Sequence, residues 1–174
     1  RRSLIAMLAA APFAPAGLQA RTAPLDVVAT TGMIADAARQ VGGDRVSVKP
    51  LMGPGVDPHS YRQTRSDIVA MTRADLVLWH GLYLEAQLER FLLKLAERAN
   101  VTAVGESMPR EKLIGHEDYE GKFDPHVWMV PELWTHVVRA VRDALADAAP
   151  GDAAGFDAGI EAHLADIAKV GDYA

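Results

Sequence analysis

Leu25-Asp26-Val27-Val28-Ala29-Thr30-Thr31-Gly32 is a short β-branched run that stops at a glycine and passes directly into a helical pattern through Ile34, Ala38 and Val41. Gly42-Gly43 closes that pattern, as expected at a helix C-terminus. A strand feeding an amphipathic helix is the first half of a βαβ unit, and the same alternation continues along the chain. Arg45 to Leu51 reads as a second strand, after which Gly53-Pro54-Gly55 opens a loop. Ser66 to Thr72 is helical, and Asp75 to Trp79 is a third strand with a near-continuous apolar run. Tyr83 to Ala99 predicts a longer helix with Leu84, Leu88, Phe91, Leu92 and Leu95 on one face, and Val101 to Val104 a fourth strand. The fold class is therefore α/β: a parallel sheet of about four strands with helices on both faces.

The pattern changes after the fourth strand. Gly105 to Asp124 is polar and too long for an ordinary connection between a strand and a helix, which marks it as functional or mobile. Pro131 to Ala148 and then Asp152 to Tyr173 are helical, the latter with Phe156, Ile160, Leu164 and Ile167 at helical spacing. The expected organisation is a lobe over 21–150 and the start of a long linking helix over 151–174, with a second α/β lobe missing from this chain. Without that partner, the stripe on the last helix is expected to be partly exposed.

Residues 1–20 have the features of a signal peptide. Arg1-Arg2 precede Leu4, Ile5, Met7 and Leu8, no acid interrupts the stretch, and Leu18-Gln19-Ala20 ends it at a small residue. Pro12, Pro15 and Gly17 argue against a membrane span, and Arg1-Arg2-Ser3-Leu4-Ile5 fits a twin-arginine signal as well as the general secretory route. The formal net charge is −5 and becomes −7 when the two leader arginines are removed (−5 − 2), which argues against nucleic acid as a partner. There is no cysteine, so neither a disulfide framework nor a lipid anchor at the processing site is expected. The expectation is a periplasmic protein held together by its hydrophobic core.

The chemistry lies in a repeated tripeptide. Asp57-Pro58-His59 follows the second strand and Asp124-Pro125-His126 follows the long polar loop. Ligands of parallel α/β sheets bind beyond the carboxyl ends of the strands, and both tripeptides can sit on that edge. Proline stiffens the backbone before each imidazole, and either aspartate can orient a ring by accepting its second N–H, as metal-bound histidines require.

Gly53-Pro54-Gly55-Val56-Asp57-Pro58-His59-Ser60-Tyr61, Ala74-Asp75-Leu76-Val77, Gly81-Leu82-Tyr83-Leu84-Glu85 and Phe123-Asp124-Pro125-His126-Val127-Trp128-Met129 resemble the TroA-like solute-binding proteins of manganese and zinc ABC importers. The resemblance covers essentially everything from Leu25 to Tyr173. It implies two α/β lobes joined by a rigid helix, with the metal between them. His59 and His126 match the two histidine ligands of the N-terminal lobe, and a His or Glu and an Asp would come from the C-terminal lobe. It also implies a membrane permease of the ABC importer as partner, a divalent transition metal (manganese or zinc) as cargo, and a monomer when full length. Where the family usually has Asp, this chain has Val130 before Pro131. Valine is a poor N-cap, and losing an Asp cap typically costs about 1 kcal/mol.

Among the other histidines, His80 ends the third strand and could approach the site, and His116 lies in an acidic loop with Glu117, Asp118 and Glu120. Both are accessory candidates. His136 and His163 fall in helical patterns and read as packing or surface residues, and Trp128 and Trp134 as core. A metal-dependent hydrolase is the enzymatic alternative, but no His-Glu-x-x-His signature is present. An adhesin of the same fold is the third possibility. Two imidazoles suit several metals. Because zinc-dedicated members of the family it resembles often carry a His-rich loop here, the resemblance, with His116 as the loop's single histidine, implies manganese over zinc.

Overall fold

The computed structural model describes residues 23–173. The leader over 1–20 lies outside the described residues. Four strands, β1 (Leu25–Ala29), β2 (Val46–Pro50), β3 (Leu76–Trp79) and β4 (Val101–Ala103), form one sheet in the order β2-β1-β3-β4, with every pairing parallel. Val27 lies opposite Val48 on one side and Leu76 on the other. The central strands β1 and β3 are apolar and almost wholly buried, while the edge strands β2 and β4 are only partly covered.

Alternation along the central strands divides the core in two. Leu25, Val27, Ala29, Leu76 and Leu78 face α1 (Gly32–Gly42), α4 (Pro131–Ala148) and α5 (Ala153–Tyr173). Val28, Val77 and Trp79 face α2 (Arg65–Arg73) and α3 (Glu89–Ala96) through Met71, Leu88, Leu92 and Leu95. Helices cover both faces, as the strand–helix alternation predicted. Because the chain leaves β1 toward β2 and later returns to the other side of β1, the connections reverse direction between β1 and β3. Such a switch point opens a crevice at the carboxyl ends of those strands.

Three local expectations are corrected. The helix predicted from Tyr83 begins instead at Glu89, with residues 82–88 in turns. Gly81, Leu82 and Tyr83 all have positive φ, at 79°, 50° and 67°, a run no right-handed helix can include. Leu84, Leu88, Leu92 and Leu95 are nevertheless all buried, so the apolar pattern was sound and only its geometry differs.

The second correction is to the last helix. Phe156 is fully buried, Ile160 and Ile167 are buried, and Leu164 packs on the same cluster as a half-buried residue. The helix lies directly on α1: a Cβ at Gly159 would collide with the backbone of Val41. That close approach, with an Arg142–Asp157 ion pair joining α4 to α5, gives the stripe a partner within the lobe.

The third correction is to the tryptophans. Trp128 and Trp134 are half-buried rather than core, and the buried tryptophan is Trp79. No helix among the described residues is long and apolar enough to cross a membrane. α4 begins at Pro131 after Val130, whose side chain makes no capping hydrogen bond.

Candidate metal centre

The two Asp-Pro-His segments fold alike. In each, an aspartate Oδ1 accepts the backbone N–H of the histidine two residues on, at 3.0 Å for Asp57 with His59 and 2.8 Å for Asp124 with His126. This Asx turn is closed across a proline whose φ is already set, so both loops are stiff for reasons local to the tripeptide. The loops bring the rings of His59 and His126 to 5.5 Å between centroids, tilted by 43°.

The aspartates differ in what else they do. Asp124 Oδ1 also accepts from Nδ1 of His126 at 2.6 Å, which leaves Nε2 of that ring as the outward nitrogen. Asp57 does not touch the ring of His59; it accepts instead from the Ser60 hydroxyl at 2.8 Å. The backbone N–H of His126, with its ring second, holds the Asp124 carboxyl below its ordinary range. The Ser60 hydroxyl and then the His59 amide do the same for Asp57. Both aspartates therefore stay ionised and able to orient their loops.

The loop carrying His59 is anchored at its far end by Tyr61, whose hydroxyl donates to Asp67 at 2.7 Å. Asp67 also completes a capping box with Thr64 at the start of α2. Burial, and then the neighbouring Asp67, push the Tyr61 hydroxyl up to about 12, so it remains a donor.

His80 is fully buried. Its Nε2 lies 2.8 Å from the carbonyl of Pro125, and its Nδ1 has no hydrogen-bond partner among the described residues. A carbonyl can only accept, so the proton sits on Nε2. Beneath it Glu85, also buried, accepts three donors: the Thr30 hydroxyl at 2.6 Å, the His80 amide at 2.8 Å and the Gly81 amide at 3.1 Å. Burial pushes the Glu85 carboxyl up, and the three donors pull it back. Thr30 follows β1 and His80 follows β3, so this carboxylate fills the crevice at the switch point. Sequence reasoning missed this, because Glu85 sits in what reads as a helix; the available signal was an acid within a strongly apolar run.

His116 is tied into its own loop. Its Nδ1 accepts from the Asp118 amide at 3.1 Å and its ring packs on Tyr119. The long segment is closed by antiparallel bonds, His116 N–H to the Lys122 carbonyl and Asp124 N–H to the Ile114 carbonyl. Among the described residues, no three His, Asp or Glu side chains are grouped as metal ligands. The structure thus brings together His59 and His126, with Asp124 behind the latter, and adds His80 beneath through Pro125.

Burial sets an acid limit on this arrangement. Desolvation lowers His80 to about 4, partly opposed by the Pro125 carbonyl and assisted by the charge of His126. Between about pH 6.5 and about 4 the unfolded chain takes a proton at His80 and the folded chain does not, so this contribution is complete above 6.5 and lost on acidification. Going from pH 7 to pH 5 is expected to cost about 2 kcal/mol from this residue. Glu85 works in the opposite direction, since its raised carboxyl gains a proton more readily in the fold. Urea denaturation of wild type and His80→Gln at both pH values isolates the histidine: the variant should lose less on acidification, and equal losses would refute the assignment.

The lobe is thus a parallel α/β sheet with two imidazoles converging beside its carboxyl edge. The chain belongs to the ZnuA family, described as zinc-uptake complex component A, periplasmic, which matches residues 27–174. It is 42% identical over 163 residues to the manganese-binding lipoprotein MntA of Bacillus subtilis (strain 168), covering 90% of this chain and 53% of that protein. It is 34% identical over 143 residues to the iron-binding protein YfeA of Yersinia pestis, covering 81% and 45%. The structure of the periplasmic zinc-binding protein TroA of Treponema pallidum superposes with a TM-score of 0.82 at 39% identity, covering 86% of this chain and 53% of that one. The chain spans about half the length of the curated relatives it matches. The family is one of substrate-binding proteins rather than enzymes, which disposes of the hydrolase alternative.

Proposed function

We propose that this chain is the metal-capturing N-terminal lobe of an extracytoplasmic solute-binding protein that delivers a divalent transition metal, manganese or zinc, to the permease of an ABC importer. His59 and His126 are its ligands on the cargo, through neutral imidazole. The observation that carries the reading is the 5.5 Å separation of their rings. Two imidazoles held at about 2.0–2.1 Å from one tetrahedral ion have centroids roughly 5–6 Å apart. The pair therefore needs little rearrangement to share a metal, and Asp124 already holds the His126 ring as a metal-bound imidazole is held.

Relatives named for manganese, zinc and iron share this half, so the choice of metal lies with the remaining ligands. A third ligand of histidine would favour zinc, and one of glutamate manganese. The loop with His116 as its lone histidine favours manganese. Export by the general secretory or twin-arginine route, a periplasmic location and a monomeric full-length protein complete the proposal.

Two imidazoles are half of a four-coordinate site, and a second lobe supplies the rest while enclosing the ion. Calorimetric titration of zinc or manganese into the 174-residue chain and into the complete gene product tests this. The complete protein should bind one ion at least about 100-fold more tightly, the two missing ligands being worth several kcal/mol. Equal affinities would show that the site is complete in this half, and no binding by the complete protein would refute the function.

A further inference from the structure

Nothing about a hydrophobic core calls for a carboxylate and an imidazole at its centre. Apolar residues of similar volume usually serve stability as well as, or better than, buried polar groups. Here both sit at the switch point, immediately beneath the loop that presents His126.

We propose that His80 and Glu85 are positioning residues for metal capture: they fix the height of the Pro125 carbonyl and so set the separation of His126 from His59 before any metal arrives. This rests on the metal-binding reading of those two histidines.

The chain of contacts is continuous. Glu85 ties the end of β1, through the Thr30 hydroxyl, to the end of β3, through the His80 and Gly81 amides. His80 then donates through Nε2 to the Pro125 carbonyl, in the peptide unit joining Pro125 to His126. Trp128 closes the arrangement, with its ring 5.5 Å from His80, edge-on, and 5.1 Å from His126.

The backbone of His80 is held as well. The Gly105 amide donates to the His80 carbonyl at 2.7 Å, and a Cβ at Gly105 would lie 2.7 Å from that oxygen and 3.1 Å from the ring Nε2. Glycine is required there for the backbone to come so close. With Gly105 and Trp128 packed beside it, the ring has little freedom to move its N–H. The unpartnered Nδ1 fits this role, because the working end of the ring is the donor.

A loop held this way does not have to be ordered when the metal binds, which is where preorganisation adds affinity. Groups that orient a ligand without touching the metal typically change affinity by roughly 10–100-fold.

The test uses the complete protein with zinc chloride, followed by competition with a chromophoric chelator, and with cobalt(II), whose visible absorption reports coordination geometry. His80→Phe keeps a ring and removes the donor; His80→Gln restores an N–H near the Nε2 position. The phenylalanine variant should bind zinc at least about 10-fold more weakly, with an altered cobalt spectrum, and the glutamine variant should recover most of both. Wild-type affinity in His80→Phe would overturn the proposal, as would equal losses in both variants. His126→Ala separates the two readings: if it loses binding while His80→Phe does not, positioning alone fails, and if it binds as wild type, the metal-binding reading fails as well. Should His80→Phe not fold, imidazole ¹⁵N spectra of the wild type decide. A slowly exchanging Nε2–H on His80 at neutral pH supports the proposal, and an Nδ1–H tautomer overturns it.

Discussion

Alanine at His59 or at His126 in the complete protein is expected to lower its affinity for zinc or manganese by more than about 100-fold, beyond the range seen for groups that merely orient a ligand. Each substitution removes one of two nitrogen donors whose rings lie 5.5 Å apart. At position 126 the loss also leaves Asp124 without the ring N–H it accepts, a negative charge beside a weakened site. The matching changes at His136 and His163, on α4 and α5, should leave affinity unchanged, since neither ring belongs to the converging pair. Competition against a chromophoric chelator measures all four. A His59→Ala protein within about threefold of wild type, well under 1.4 kcal/mol, would remove that residue from the ligand set.

The second large effect is on stability. Glu85→Ala would strand three buried donors at once: the Thr30 hydroxyl and the amides of His80 and Gly81. An unsatisfied buried polar group costs about 1–3 kcal/mol, and the deleted side chain adds a cavity, so a loss of at least about 3 kcal/mol is expected. The left-handed run Gly81-Leu82-Tyr83 would also lose the Gly81 anchor, while Leu82 N–H to Glu106 and the Tyr83 contacts with Tyr119 and Lys122 remain. Urea denaturation of this chain gives the number directly; a loss below about 1 kcal/mol would mean that water or a shifted backbone satisfies those donors as well as the carboxylate does.

Most of the architecture was legible because it rests on periodicity. The β-branched run from Leu25 to Thr30 and the near-continuous apolar run from Asp75 to Trp79 mark strands, and the spacing of Leu84, Leu88, Leu92 and Leu95 states which residues a neighbour must cover. The histidine pair was legible because the tripeptide occurs twice, each time with the proline and aspartate that make its turn. What escaped were features that depend on contacts distant in sequence. Leu82 and Tyr83 are not residues that announce a left-handed turn, and their conformation is imposed by Glu85 and Glu106. The burial of Phe156 and Ile160 depends on how closely Gly159 lets α5 approach α1, which a helical stripe read alone does not convey. The division of labour between the aspartates was likewise hidden, since Ser60 engages Asp57 while the His126 ring engages Asp124.

The carboxylate of Glu85 occupies the place where a sheet of this topology ordinarily receives a guest. The lobe therefore arrives with its own tenant, and on the proposed reading a metal would stop at the threshold, on exposed imidazoles rather than among backbone amides. An ion resting on two nitrogen atoms at the rim would take its remaining ligands from outside this lobe. On the proposed reading, cargo held there would leave without the strands parting or the core being disturbed.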